Sequence, residues 1–160
     1  MGTVFVRADD GANYERLCRL LLARPIQEPG LFENEIEAAS MAERYTKLCC
    51  LKPQNLRPEA RATVLELSRY ALANARNDVG WPVLAGGVAE YHFGQPDQAL
   101  ALLRRAEQDN DPLISGTAKL YHAMMLQKLN HSTEAADLLK EAEQRFAERD
   151  ESVMPDFRLN

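Results

Sequence analysis

Two stretches of this chain, Gly87–Gln108 (GVAEYHFGQPDQALALLRRAEQ) and Ala123–Gln144 (AMMLQKLNHSTEAADLLKEAEQ), superimpose at a shift of 36 residues with apolar and turn positions in register. A fixed period of roughly 20–50 residues marks repeated supersecondary units, each too small to bury its own apolar face and stable only when stacked on its neighbours. The echo therefore constrains the chain to a stack of similar units, a construction that suits a binding surface better than a single catalytic core.

The units are helical. Pro96 and Pro112 open apolar stretches of period 3.6, and Gly94 and Asn130 occupy the same slot in the two copies, the place where a helix ends in left-handed backbone. Asp111–Pro112 supplies a cap and first-turn pair, and Ser132 stands ready to cap the last helix. Ala99, Leu103 and Ala106 recur as Ala135, Leu139 and Ala142, and a fainter copy precedes them at Val64, Ser68 and Ala71.

Upstream, the spacing predicts a first helix over Asn13–Ala23, with Tyr14, Leu17, Cys18, Leu21 and Leu22 inward, ended by Pro25 and Pro29–Gly30. A second runs over Glu33–Leu51, with Ile36, Ala39, Ser40, Ala42, Glu43, Tyr45, Leu48 and Cys49 on one side. Pro58 opens a third, and after an Asn77–Gly80 turn Pro82 opens a fourth that runs to Phe93. Thr3–Val6 is the one strand-like run and reads as a lead-in. The expectation is an all-α chain: lead-in 1–11, helical-repeat domain 12–151 made of a leading helix and about three hairpins, and tail 152–160.

Composition narrows the partners. The net charge is −5, and Ser132–Glu151 alone holds seven acidic residues against three basic ones. No long basic stripe with interleaved aromatics occurs, so nucleic acid is not expected as a ligand. Cys18, Cys49 and Cys50 show no CxxC spacing and lie in apolar helical contexts, which predicts buried thiols in a reducing cytoplasm rather than a disulfide frame or zinc site. Cys49 and Cys50 leave a vicinal redox role open. No signal peptide and no apolar run of spanning length is present, and Val6 stands where a myristoylation signal needs Ser or Thr, so no membrane partner is expected.

Gly87, Tyr91, Gly94, Ala99, Leu103 and Ala106, followed by Ala123, Leu126, Asn130, Ala135, Leu139 and Ala142, resemble the tetratricopeptide repeat. Its pattern sets a small residue and an aromatic in the first helix, Gly at the turn, then Ala, a large residue and Ala in the second. The chain departs from it at Gly86, where a large apolar residue is usual, and in its period of 35 or 36. This resemblance implies a right-handed solenoid acting in protein–protein interaction. Tyr14–Arg24, Leu48–Pro53 and Phe93–Leu100 are also similar in wording to the helical-repeat region downstream of serine/threonine kinase domains in planctomycete bacteria, which implies an interaction region of a signalling system. Kinase motifs are absent, Asp156-Phe157-Arg158 lacking the glycine of Asp-Phe-Gly.

Catalytic and cofactor constellations are not found. His92 and His122 fall near matching places on successive first helices, but no carboxylate or thiol stands at ligand spacing from them. Asp109-Asn110-Asp111 lacks the glycine and terminal glutamate of a calcium loop, Gly86–Gly87 lies inside a helix, and Glu141 and Glu143 diverge on a solvated face. The expected activity is non-catalytic and without cofactor or metal.

In such stacks the first helix of each hairpin lines the concave side. The candidate partner-binding residues are Leu84, Val88, Tyr91, His92, Tyr121, Met124, Gln127 and Lys128, with Leu120 beside them; Leu84, Val88 and Leu120 suit the core equally. Aromatic and Met side chains there would anchor a peptide and Lys128 would orient an acidic group. A secretion or assembly chaperone is the alternative role, and a helical enzyme the alternative of a different class. Self-association is a second route, through the N-terminal end or the Ser152–Asn160 tail, with the charged last helix expected to close the other end.

Overall fold

A computed structural model describes residues 10–23, 26, 31–75 and 80–153. Thr3–Val6, Pro25, Pro29–Gly30, the first three residues of the Asn77–Gly80 turn and the tail from Met154 lie outside them. Every regular element among the described residues is helical: α1 (Gly11–Leu22), α2 (Glu35–Cys49), a 3-10 turn (Pro53–Asn55), α3 (Pro58–Ala73), α4 (Trp81–Phe93), α5 (Pro96–Ala106), α6 (Pro112–Lys128) and α7 (Ser132–Val153). The fold is all-α.

Local chemistry sets the ends of these helices. The Asp10 carboxylate accepts the Asn13 N–H at 3.1 Å to start α1. Asn34 accepts the Glu37 N–H, and the Glu37 carboxylate in turn accepts the Glu33 N–H, a reciprocal cap on α2. Prolines stand in the first turns of α3, α4, α5 and α6, where the missing N–H costs nothing. Asp111 caps α6 by accepting the Leu113 N–H at 2.8 Å.

Asn130 has φ 63, the left-handed conformation its position in the repeat implied. The His131 N–H reaches back to the Leu126 carbonyl and the Asn130 N–H to that of Gln127, which closes α6 in a Schellman arrangement. Ser132 is already the first helical residue of α7; the carbonyl of His131 accepts the first helical bond, so His131 holds the cap position expected of Ser132.

Gly94 departs from the expected left-handed end. Its φ is −114 and its ψ −138, and a Cβ there would sit 1.7 Å from a carboxylate oxygen of Glu90. Glycine is required at this turn because the Glu90 side chain folds across it to accept the Gln95 N–H at 2.9 Å. Gly86 and Gly87 serve close approach instead: Leu102 and Leu103 of α5 press onto them, and a Cβ on Gly87 would meet Leu103 at 2.9 Å.

Consecutive helices pack in pairs, α2 on α3, α4 on α5 and α6 on α7, and these are the most extensive contacts in the molecule. α4 also touches both α2 and α6, so the first helices of the pairs stand in a row, while α1 packs on α2, α3 and the 3-10 turn. The main core runs from Tyr14 and Cys18 through Cys49, Val64, Val83 and Leu103 to Ile114 and Met125, and a smaller cluster joins Ala38, Ala42, Leu67 and Ala71. The repeating triads carry this core: Val64, Ser68 and Ala71, then Ala99, Leu103 and Ala106, are all buried. Ile36 and Ser40, expected inward on α2, are exposed instead, because they border an open groove against Trp81 and Pro82.

Candidate functional site

The residues singled out from the sequence divide into three groups. Tyr91 and His92 near the end of α4 meet Tyr121 of α6 in one half-buried aromatic cluster. The Tyr91 and Tyr121 rings lie edge to face with centroids 5.2 Å apart, and His92 is edge-on to Tyr121 at 5.7 Å and to Tyr91 at 4.8 Å. Such contacts fix ring orientation, and each is worth about 0.5–1.5 kcal/mol beyond the area buried. The Lys128 ammonium lies over the Tyr91 ring at 4.0 Å to its centroid, an electrostatic contact with the negative ring face.

This environment tunes its titratable groups. Partial burial, followed by the nearby Lys128 charge, lowers the His92 pKa to about 4, so the imidazole is neutral at physiological pH. Burial, with Cys50 and Tyr91 nearby, pushes the Tyr121 phenol up to about 12 and keeps it protonated. The cluster is therefore an aromatic, hydrogen-bonding surface with one cation at its edge. Nothing in it is poised as a base near neutrality.

Leu84 and Val88 are buried and belong to the core, so they offer nothing to a partner. Met124 and Gln127 are exposed, and with Leu120 they line a groove of about 290 Å³ shared with Ser132, Ala135, Ala136 and Leu139 of α7. That groove runs along the last helix pair, whose second helix carries the charged residues expected to close this end of the row. Glu134, Asp137, Lys140, Glu141 and Glu143 are exposed on α7, while Ala135 is buried and Leu139, one helical turn on, stays 43% exposed beside the groove.

A third site went unread in the sequence. Ile36, Glu43, Arg44 and Lys47 of α2, with Trp81 and Pro82 of α4, line a groove of about 390 Å³. The Glu43 carboxylate is buried and ion-paired with Lys47, whose ammonium also stands 3.8 Å from the Trp81 ring centroid. The Glu43/Lys47 spacing was visible as a helical i, i+4 pair, and Trp81 is the only tryptophan. That they meet across two helices was not visible.

His122 is a packing residue. Its Nδ1 lies 2.7 Å from the Glu107 carboxylate, tying α6 to α5. Glu90 was likewise missed: it is buried, one oxygen receiving both Nε and Nη2 of Arg69 on α3, the other the Gln95 N–H. Among the described residues no group of three or more His, Cys, Asp or Glu is placed to hold a metal ion, and no helix is long and apolar enough to cross a membrane.

Fold and surface together define an all-α protein in which a row of first helices presents aromatic, cationic and apolar side chains. Comparison with family models, with curated proteins and with solved structures finds no match to the chain.

Proposed function

We propose that the chain is a tetratricopeptide-like solenoid of three hairpins, α2/α3, α4/α5 and α6/α7, led by α1, and that it works as a non-catalytic protein-interaction module. Support for the solenoid comes from the pairwise packing, from the contacts of α4 with both α2 and α6, and from burial of the same triad in successive second helices. The reading agrees with the resemblance to repeat regions of bacterial signalling proteins.

The observation that carries the functional reading is the Tyr91–His92–Tyr121 cluster with Lys128 at its edge. Half-buried aromatics fixed by mutual contacts lose little entropy on binding, which is why such residues dominate interface energetics. The partner is a peptide segment that lays an apolar or aromatic side chain on the Tyr91/Tyr121 edge and a carboxylate near Lys128.

The test is a selection from displayed peptides with the native chain, followed by affinity measurement against a folded Tyr91→Ala, Tyr121→Ala, Lys128→Ala variant. Enrichment of acidic and aromatic peptides, with binding weakened at least about tenfold in the variant, is expected, since each lost hot-spot contact of about 1.4 kcal/mol is a factor of ten. Equal binding by both proteins contradicts the assignment.

A further inference from the structure

Each helix pair in the row is covered by the first helix of the next. α4 packs on both α2 and α3, and α6 packs on both α4 and α5. The seated face of α6 is a stripe of Ile114, Ala118, Tyr121 and Met125, which joins the core that holds Val88 and Leu103. At the shift of 36 residues Val88 becomes Met124 and Leu103 becomes Leu139. Both are buried in the α4/α5 copy, and both are exposed beside the groove of about 290 Å³ in the α6/α7 copy.

Charge repeats with the packing. Two polar contacts each join a second helix to the first helix that covers it: Arg69 of α3 to Glu90 of α4 at 2.9 Å, and Glu107 at the end of α5 to His122 of α6 at 2.7 Å. Arg69 directly follows the middle residue of its triad, as Lys140 does in the last copy, and Glu107 becomes Glu143 at the shift of 36. Lys140 and Glu143 are exposed on α7 and have no ion-pair partner among the described residues. The last pair therefore carries the apolar seat and both charges that its predecessors use to hold a helix.

We propose that the α6/α7 groove is a second interaction surface, and that its occupant is an amphipathic helix of a partner protein, laid on α6 and α7 as α6 is laid on α4 and α5. The pattern of α6 and α4 states the chemistry of that helix. Apolar side chains stand four, seven and eleven residues after the first, as from Ile114 to Met125. A base or imidazole follows the third of them, in the place of His122, and faces Glu143. An acid one turn further on, in the place that Glu90 holds on α4, faces Lys140. A second copy is the poorer occupant, because pairing α7 with itself sets an acidic helix against an acidic helix. The inference rests on the solenoid reading of the hairpins and not on the Tyr91–Tyr121 cluster.

The probe is a synthetic peptide with the sequence of α6, Pro112–Lys128, carrying Leu126→Glu. It is stapled on the side away from its seating stripe, since short isolated helices are marginal in water. Titration into the isotope-labelled full chain is expected to shift Met124, Gln127, Ala136 and Leu139. Leu139→Glu in the chain should weaken binding at least about tenfold. Glu143→Lys should weaken it about fivefold, the scale of one exposed ion pair, and a peptide that also carries His122→Glu should recover the loss. Both substitutions fall on exposed side chains, so thermal unfolding should find the variants folded. The Tyr91→Ala, Tyr121→Ala, Lys128→Ala chain should bind this peptide as the native chain does, which separates failure here from failure of the aromatic-cluster reading. Equal binding by Leu139→Glu, no recovery on the charge swap, or shifts confined to the α4/α6 aromatic face overturns the proposal. Groove shifts that grow with the concentration of the chain alone overturn it in favour of a second copy.

Discussion

The Arg69 guanidinium of α3 meets the Glu90 carboxylate of α4 at 2.9 Å, and the carboxylate is 3% exposed while the guanidinium is 57% exposed. A nearly dry anion is thus paired with a cation that stays wet, and its second oxygen is satisfied by the Gln95 N–H. The arrangement ties one helix pair to the next and fixes the turn between α4 and α5.

Removing the arginine leaves the Glu90 carboxylate buried with half its partners. Arg69→Ala is expected to destabilise the protein by about 1.5–3 kcal/mol, the range for hydrogen bonds to charged groups. Gly94→Ala is expected to cost a similar amount, because its Cβ would overlap Glu90 Oε2. In urea denaturation, Gly94→Ala should cost much less in a Glu90→Ala background; equal costs in both backgrounds would refute the steric account.

Tyr14→Phe removes one hydroxyl that serves two carbonyls and one N–H at the end of α2. A loss of about 1–3 kcal/mol is expected from these unmade bonds. Amide exchange should rise first in 11–22, since α1 has few other anchors; uniform acceleration across all helices would contradict that local role.

His92 gives a pH dependence with a definite sign. Its folded pKa of about 4 lies below the usual 6.5 of a free imidazole, so between these values the unfolded chain binds more protons than the folded one. The contribution of His92 to stability is present above about pH 6.5 and falls as pH drops toward 4. Proton titration by NMR should find His92 neutral at pH 5.5 and its pKa raised by Lys128→Ala. A midpoint near 6.5 in the native chain would contradict the burial described.

Leu103 and Leu139 hold the same place in two copies of the repeat, yet Leu103 is fully buried and Leu139 is 43% exposed. Leu103→Ala should cost about 2–5 kcal/mol, as buried leucines do. Leu139→Glu should change stability by no more than about 0.5 kcal/mol, the usual range for exposed sites. Similar losses at both positions would mean that something covers the α6/α7 groove.

What could be read from the sequence was whatever local chemistry decides. Pro58, Pro96, Asp111–Pro112 and Asn130 act on backbone within four residues, and the triads Val64/Ser68/Ala71 and Ala99/Leu103/Ala106 follow one helix face. The meeting of Tyr91, His92 and Tyr121 was half visible, because repeat register brings the ends of α4 and α6 to the same level. Glu90, Tyr14 and the Glu43–Lys47–Trp81 group were hidden, since each acts through a residue on another helix, 21 residues away for Arg69 and 34 for Leu48. The exposure of Leu139 was hidden too, since it follows the repeat register on its own helix and yet is 43% exposed.

The central claim is that the α4/α6 face receives a partner segment, and NMR shift mapping with a selected acidic, aromatic peptide tests it most directly. The largest changes are expected at Tyr91, His92, Tyr121 and Lys128, with α1 and the outer sides of α3 and α5 undisturbed. Shifts concentrated on those outer helices, with the Tyr91–Tyr121 rings unmoved, would contradict it.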